Sequence, residues 1–134
     1  MGREELDISD TDAVAAVFKR YRPVFFINTA AYTAVDKAET DQVNAYMINA
    51  EATGTIAMIC SRYQTKLIHL STDYVFDGNG SNPYKEDDIA NPVNYYGFTK
   101  WTGEQLALKN NAGTIVIRTS WVYSIYGNNF VKTM

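Results

Sequence analysis

Tyr96 and Lys100 stand four residues apart in the run Tyr96-Gly97-Phe98-Thr99-Lys100, and residues at that spacing share one face of a helix. A phenol and an ammonium pointing into one cleft make a proton-donating pair. A phenol with a pKa of about 10 is a poor donor at neutral pH, and a nearby cation lowers that value. A shift of three units asks for about 4 kcal/mol of differential interaction. Tyr-x-x-x-Lys also arises by chance in helices, the tyrosine packed and the lysine in water, so the pair alone says little. Its weight comes from Ser71-Thr72, which follows an apolar run. A hydroxyl there could hold a substrate carbonyl against the phenol, the arrangement needed for carbonyl reduction. No side chain supplies a hydride, so a cofactor has to.

Two further polar clusters sit in the same way, just after apolar runs. Asn28-Thr29-Ala30-Ala31-Tyr32-Thr33 follows Val24-Phe25-Phe26-Ile27, and Thr119-Ser120-Trp121 follows Thr114-Ile115-Val116-Ile117-Arg118. Any one of them alone reads as an ordinary polar strand exit; three together point to a binding edge. Small residues such as Ala30 and Ala31 let a bulky ligand approach the backbone, while the hydroxyls and Asp73 offer orienting hydrogen bonds.

The elements that must position these residues alternate along the chain. From the cap-type Asp10, apolar residues at Val14, Val17, Phe18 and Tyr21 predict a helix over 11–21 that stops before Pro23. The run at 24–27 and the run Lys66-Leu67-Ile68-His69-Leu70-Ser71 read as strands buried on both faces of a parallel sheet. Residues 114–118 read as a third strand. Between them, Val43, Met47, Ala50, Gly54, Ala57 and Ile59 place one broad apolar face on a helix within 41–63, and a further helix is predicted over 95–109. Asp-Gly and Asn-Gly pairs make 77–82 a turn, with loop continuing to 94. Strands alternating with helices predict an α/β fold, a Rossmann-like doubly wound parallel sheet with ligands at the carboxyl ends of its strands.

Composition sets the limits. The chain has 134 residues, 46% hydrophobic and 20% charged, with a net charge of −3: one globular domain rather than a disordered segment. Interspersed charges leave no basic footprint for nucleic acid. No apolar run is long enough to span a bilayer, and the opening residues lack the apolar stretch of a secretory signal, so the expected compartment is the cytoplasm. The single cysteine, Cys60, excludes an internal disulfide and a Cys-based zinc site, and on an apolar helical face it reads as a small core residue. His69, the one histidine, lies inside a strand pattern and is assigned a structural role. Asp36, Glu39, Asp41 and Glu86-Asp87-Asp88 are read as capping or solvated rather than as metal ligands.

With these residues in place, the chain resembles the dTDP-4-dehydrorhamnose reductase family of extended short-chain dehydrogenase/reductases. The resemblance rests on the run from Asn28 to Glu39, on Ser71-Thr72-Asp73-Tyr74-Val75-Phe76-Asp77-Gly78, on Tyr96 to Lys100, and on Arg118-Thr119-Ser120-Trp121-Val122-Tyr123 with Gly127-Asn128-Asn129-Phe130. It implies that Tyr96 donates the proton, that Lys100 tunes Tyr96 and holds the nicotinamide ribose, and that Thr72 binds the reacting carbonyl. It further implies NADH or NADPH as hydride source and a nucleotide-sugar as substrate. Asp7 and Ile8 would lie near the adenine, Ala30, Ala31, Tyr32 and Thr33 would line the cofactor, and Asp73 and Trp121 would contact the nucleotide-sugar.

The sequence departs from the family pattern in two respects. Nothing before Asp7 can be the opening strand, and no G-x-x-G-x-x-G occurs, so the glycine turn that receives the pyrophosphate at a helix N-terminus is lacking. The family also continues into a substrate-binding C-terminal region. Residues 1–134 are therefore expected to be a partial NAD(P)-binding Rossmann-like domain, a fragment lacking its first strand, inactive alone and prone to dimerise or aggregate through uncovered apolar surface. Two alternatives to the reductase stay open: a non-catalytic binding or regulatory subunit with the same fold, and a related epimerase or dehydratase.

Overall fold

In the computed structural model of the chain, residues 1–2, 4–126 and 129–133 are described; Gly127 and Asn128 of the last family segment lie outside them. Helix α1 spans Thr11–Tyr21. The Asp10 carboxylate starts it by accepting the Ala13 N–H at 2.9 Å, and Arg22 ends it in the left-handed region at φ 46°, its N–H returning to the Phe18 carbonyl. Pro23 prevents further winding. Val14 and Phe18 form the buried stripe. Three strands follow at intervals: β1 Phe25–Asn28, β2 Lys66–Thr72 and β3 Thr114–Thr119. They form one parallel sheet in the order β1-β2-β3, with Asn28 opposite His69 and Thr72 opposite Thr119. The crossovers are helical: α2 Val35–Ala38, α3 Gln42–Tyr46 and α4 Ala52–Arg62 between β1 and β2, and α5 Tyr95–Asn110 between β2 and β3. A four-residue α6, Phe130–Thr133, comes last. Among the described residues no helix is long and apolar enough to cross a membrane.

The α/β alternation and parallel pairing agree with the sequence reading. The strands differ from it in burial. Phe26, Leu67 and the stripe of α1 pack with Ile56, Ala57, Ile59 and Cys60 of α4 and Ala107 of α5 into the main core. All of this lies on one face of the sheet. On the other face Phe25, Ile27, Ile115 and Ile117 are exposed, because no element among the described residues lies over them. The continuous apolar runs have the composition of strands buried twice, but here they are buried once.

The helix expected within 41–63 contains a π turn, Met47–Glu51, between α3 and α4. A π turn inserts one residue into the helical count, rotating the stripe that precedes it by about 100° relative to the stripe that follows. Val43, in phase with Ala50 and Ala57 on an uninterrupted helix, is therefore 80% exposed, and Ala45 is buried in its place.

Candidate active site

Because the strands are parallel, their polar exits share one edge. At the end of β1, Asn28 is 2% exposed. Its Oδ1 accepts the Ala30 N–H at 3.2 Å, and its Nδ2 faces Thr53 Oγ1 at 3.5 Å and His69 Nδ1 at 3.3 Å. At the ends of β2 and β3, the Asp73 carboxylate ties two exits together, accepting from Thr72 Oγ1 at 3.2 Å and from Ser120 Oγ at 2.7 Å. The Thr119 hydroxyl adds a bond to the Ser71 carbonyl at 3.1 Å.

Helix α5 lays Tyr96, Thr99 and Lys100 against this edge, all buried. Asn94 caps it, accepting the Gly97 N–H at 2.7 Å, and the Glu39 carboxylate reaches across from the end of α2 to accept the Tyr95 N–H at 2.8 Å. The Tyr96 ring lies edge-on to Tyr74, centroids 5.7 Å apart, and packs in a small cluster with Ala38 and Ala45, flanked by Tyr32 and Val35. Burial raises the phenol's pKa above its ordinary 10.0; the Thr72 hydroxyl opposes that shift, and Asp73 adds to it. Tyr96 therefore holds its proton throughout the neutral range.

The Lys100 ammonium, whose residue is 2% exposed, donates to the Leu70 carbonyl at 2.7 Å. β1 stops opposite His69, so from Leu70 onward that side of β2 is open to side chains from the helix. Burial lowers the Lys100 pKa to about 8, with Glu104 one turn further on opposing it. The sequence reading placed this cation beside the Tyr96 phenol to lower its pKa. In the structure its bonded partner is the Leu70 carbonyl, and the net shift of Tyr96 is upward.

A cleft of about 530 Å³ opens beside β1, lined by Asp7, Ile8, Ala30 and Ala31 together with Leu6, Phe26, Asn28, Thr29 and Ile48 among others. That size is within the range of small-molecule sites, about 300–1,000 Å³. Four of the residues assigned to a cofactor from sequence thus border one space. Asp7 is braced by Ser9, its Oδ1 accepting from the Ser9 N–H at 2.9 Å and hydroxyl at 2.7 Å. Tyr32 stands just beyond, its hydroxyl donating to Asp41 at 3.0 Å, and Thr33 is an exposed neighbour. Trp121, one residue past Ser120, has a left-handed backbone at φ 51° and is 68% exposed.

Sequence reasoning missed Asn49. It sits in the π turn at 1% exposure. Its Oδ1 accepts the Tyr32 N–H at 2.9 Å, and its Nδ2 donates to the Tyr32 carbonyl at 3.1 Å and to Thr99 Oγ1 at 3.0 Å. One amide thus joins the Ala30–Thr33 segment to the helix that carries Tyr96 and Lys100. The available signal was a polar residue within a helical stripe of apolar ones. His69 has the structural place expected of it, although its Nε2 and the nearby Ser71 Oγ are buried without a protein partner. Cys60 lies in the core, its thiol pushed up to about 12 by burial.

The family model described as RmlD substrate binding domain matches residues 1–134. The chain is 45% identical over 130 residues to a dTDP-4-dehydrorhamnose reductase of Aggregatibacter actinomycetemcomitans, covering 97% of this chain and 44% of that one. It is likewise 45% identical over 128 residues to the enzyme of that name from Shigella flexneri, covering 96% of this chain and 43% of that one. The crystal structure of dTDP-4-dehydrorhamnose reductase from Bacillus anthracis in complex with NADP superposes with a TM-score of 0.96 at 41% identity, covering 99% of this chain and 47% of that one. The chain thus spans somewhat less than half the length of each.

Proposed function

The chain belongs to the RmlD substrate binding domain family, and from that premise we propose that it carries the proton-donating site of a reductase converting dTDP-4-dehydro-L-rhamnose to dTDP-L-rhamnose. The observation that carries this reading is the meeting of Tyr96, Thr72 and Lys100 at the carboxyl edge of the sheet. Identities of 45% with reductases favour this chemistry over that of the UDP-glucose 4-epimerase from Brucella ovis, whose structure matches at 24% and shows the fold alone.

NADH or NADPH would supply the hydride, and the cleft holding Asp7, Ile8, Ala30 and Ala31 has the size and the small-residue lining for such a nucleotide. Tyr32, Thr33 and Lys100 are assigned to the same cofactor. Tyr96 is protonated at neutral pH because its surroundings disfavour the phenolate; the raised pKa makes it a weaker acid than a free phenol, and the oxygen that gains negative charge as hydride arrives is basic enough to take its proton. Thr72 is placed to orient that oxygen through its hydroxyl. Lys100, cationic at neutral pH with a pKa of about 8, puts a positive charge behind the site. Asp73, pinned by Thr72 and Ser120, and Trp121 are assigned to the nucleotide-sugar. The same reading puts the enzyme in the cytoplasm and includes a homodimer among its assemblies.

Tyr96→Phe, made in the reductase that contains these residues, removes the donated proton while keeping the ring. The expected loss in kcat is about 10²–10⁴-fold, the usual contribution of a positioned acid, with KM for the keto-sugar little changed. Near-normal turnover would assign the proton to another group.

A further inference from the structure

Helix α5 carries two glycines six residues apart, Gly97 and Gly103, a residue type that helices disfavour relative to alanine. A side chain at either would meet backbone. A Cβ on Gly97 would overlap the carbonyl oxygen of Tyr74, with the Tyr74 carbonyl carbon at 3.0 Å and Asn94 Oδ1 at 3.2 Å. A Cβ on Gly103 would overlap the carbonyl oxygen of Asn49, with the Asn49 carbonyl carbon at 3.2 Å and Ala50 Cα at 3.5 Å. Neither main chain can rotate aside as a side chain can. Gly54 of α4 is different in degree, because a Cβ there would meet Leu106 Cβ at 3.1 Å and Cδ1 at 3.4 Å, contacts relieved by a shift of a few tenths of an ångström, and no backbone carbonyl.

The backbones beneath Gly97 and Gly103 are those of the site. Tyr74 lies in the single 3₁₀ turn Asp73–Val75 that begins directly after Thr72. Asn49 lies in the π turn and clamps both Tyr32 and Thr99. Gly97 is next to Tyr96, and Gly103 is three residues past Lys100, close to one turn along the helix.

We propose that Gly97 and Gly103 are positioning residues: by admitting α5 to direct backbone contact at two points, Gly97 sets the distance of the Tyr96 phenol from Thr72, and Gly103 sets the depth at which Lys100 meets the Leu70 carbonyl. The bare backbone fixes this depth more tightly than side-chain packing does, since it leaves no rotamer through which the helix could ride outward. The proposal rests on the reading of Tyr96 and Lys100 as the acting pair. Its test needs neither cofactor nor turnover, so the two can fail separately.

The unmodified chain is measured first by nuclear magnetic resonance. Nuclear Overhauser contacts are expected from Gly97 Hα to the Val75 amide, from Gly103 Hα to Ala50, and between the Tyr96 and Thr72 side chains. Absence of the first or second overturns the proposal. Gly97→Ala, Gly103→Ala and Gly54→Ala are then compared in chains labelled with ¹³C at tyrosine ζ and lysine ε. Gly97→Ala is expected to shift the Tyr96 resonance and abolish its contact with Thr72. Gly103→Ala is expected to move the Lys100 titration from about 8 toward the ordinary 10.5, with Glu104 on α5 and His69 on β2 as the titrating groups facing it. Gly54→Ala should leave both signals in place. An alanine variant that fails to fold where Gly54→Ala folds counts for the backbone contact. Folded Gly97→Ala and Gly103→Ala chains with both signals unchanged, or equal changes in Gly54→Ala, overturn the proposal.

Discussion

The two faces of the sheet are drawn from the same strands by simple alternation, yet they have opposite characters. The face under α1, α4 and α5 buries Asn28, His69 and Ser71 beside Leu67, and the helices bring Asn49, Thr53, Thr99, Lys100 and Glu104 to it. The other face presents Phe25, Ile27, Ile115 and Ile117, 41–59% exposed. Apolar groups need only be removed from water, and any cover will do. Buried polar groups need particular partners at particular distances. The site was therefore built where the helices could supply those partners, while the bare face has the apolar surface that a parallel sheet normally covers.

The contrast can be broken most severely through His69. Burial, with the Lys100 ammonium adding to it, lowers its pKa from 6.5 to about 3. The unfolded chain takes up this proton near pH 6.5 and the folded chain does not. The residue's contribution is thus intact above pH 6.5 and is lost as pH falls toward 3, at about 1.4 kcal/mol per unit, or roughly 3–5 kcal/mol across the window. Urea unfolding at stepped pH should show this slope in the parent and its removal in His69→Asn; equal slopes would mean that the covered face tolerates the charge.

A second test removes one partner from a pair. Glu104, whose side chain is 1% exposed, is held by Arg118 through Nε at 3.1 and 3.2 Å and through Nη2 at 2.7 Å. Arg118→Met leaves that carboxylate buried without its hydrogen-bonded partner, and should cost about 3 kcal/mol, since Arg118 itself is partly exposed. Replacing both, with Glu104→Leu added, should recover most of the loss in the same unfolding measurement.

The smallest effects belong to the bare face. Ile27→Lys and Ile117→Lys should each change stability by no more than about 0.5 kcal/mol, while lowering self-association seen by light scattering at high protein concentration. A loss as large as that of Arg118→Met would show that this face is packed after all.

The sequence was most readable where one local rule decides the outcome. Asp10 and Pro23 bracket α1, the apolar runs locate all three strands, and Tyr95 to Asn110 runs within a residue of its expected end. It was least readable where a local pattern has two physical outcomes. The spacing through Val43 and Met47 fits an unbroken helix, and only packing against α5 and the Tyr32 segment selects the π turn that turns Val43 outward and Asn49 inward. The runs of β1 and β3 have the composition of twice-buried strands, but burial depends on what lies across the sheet.

Residue types and spacing by themselves determined that a Tyr-x-x-x-Lys pair, Tyr96 and Lys100, would share a helix face and that the polar strand exits, Ser71-Thr72 among them, would gather at one edge. Those conclusions need only helical and strand periodicity. The partner of the Lys100 ammonium, the upward shift of the Tyr96 phenol and the seating of α5 on the carbonyls of Tyr74 and Asn49 were decided by the tertiary structure, because each depends on the depth to which one element sinks into another.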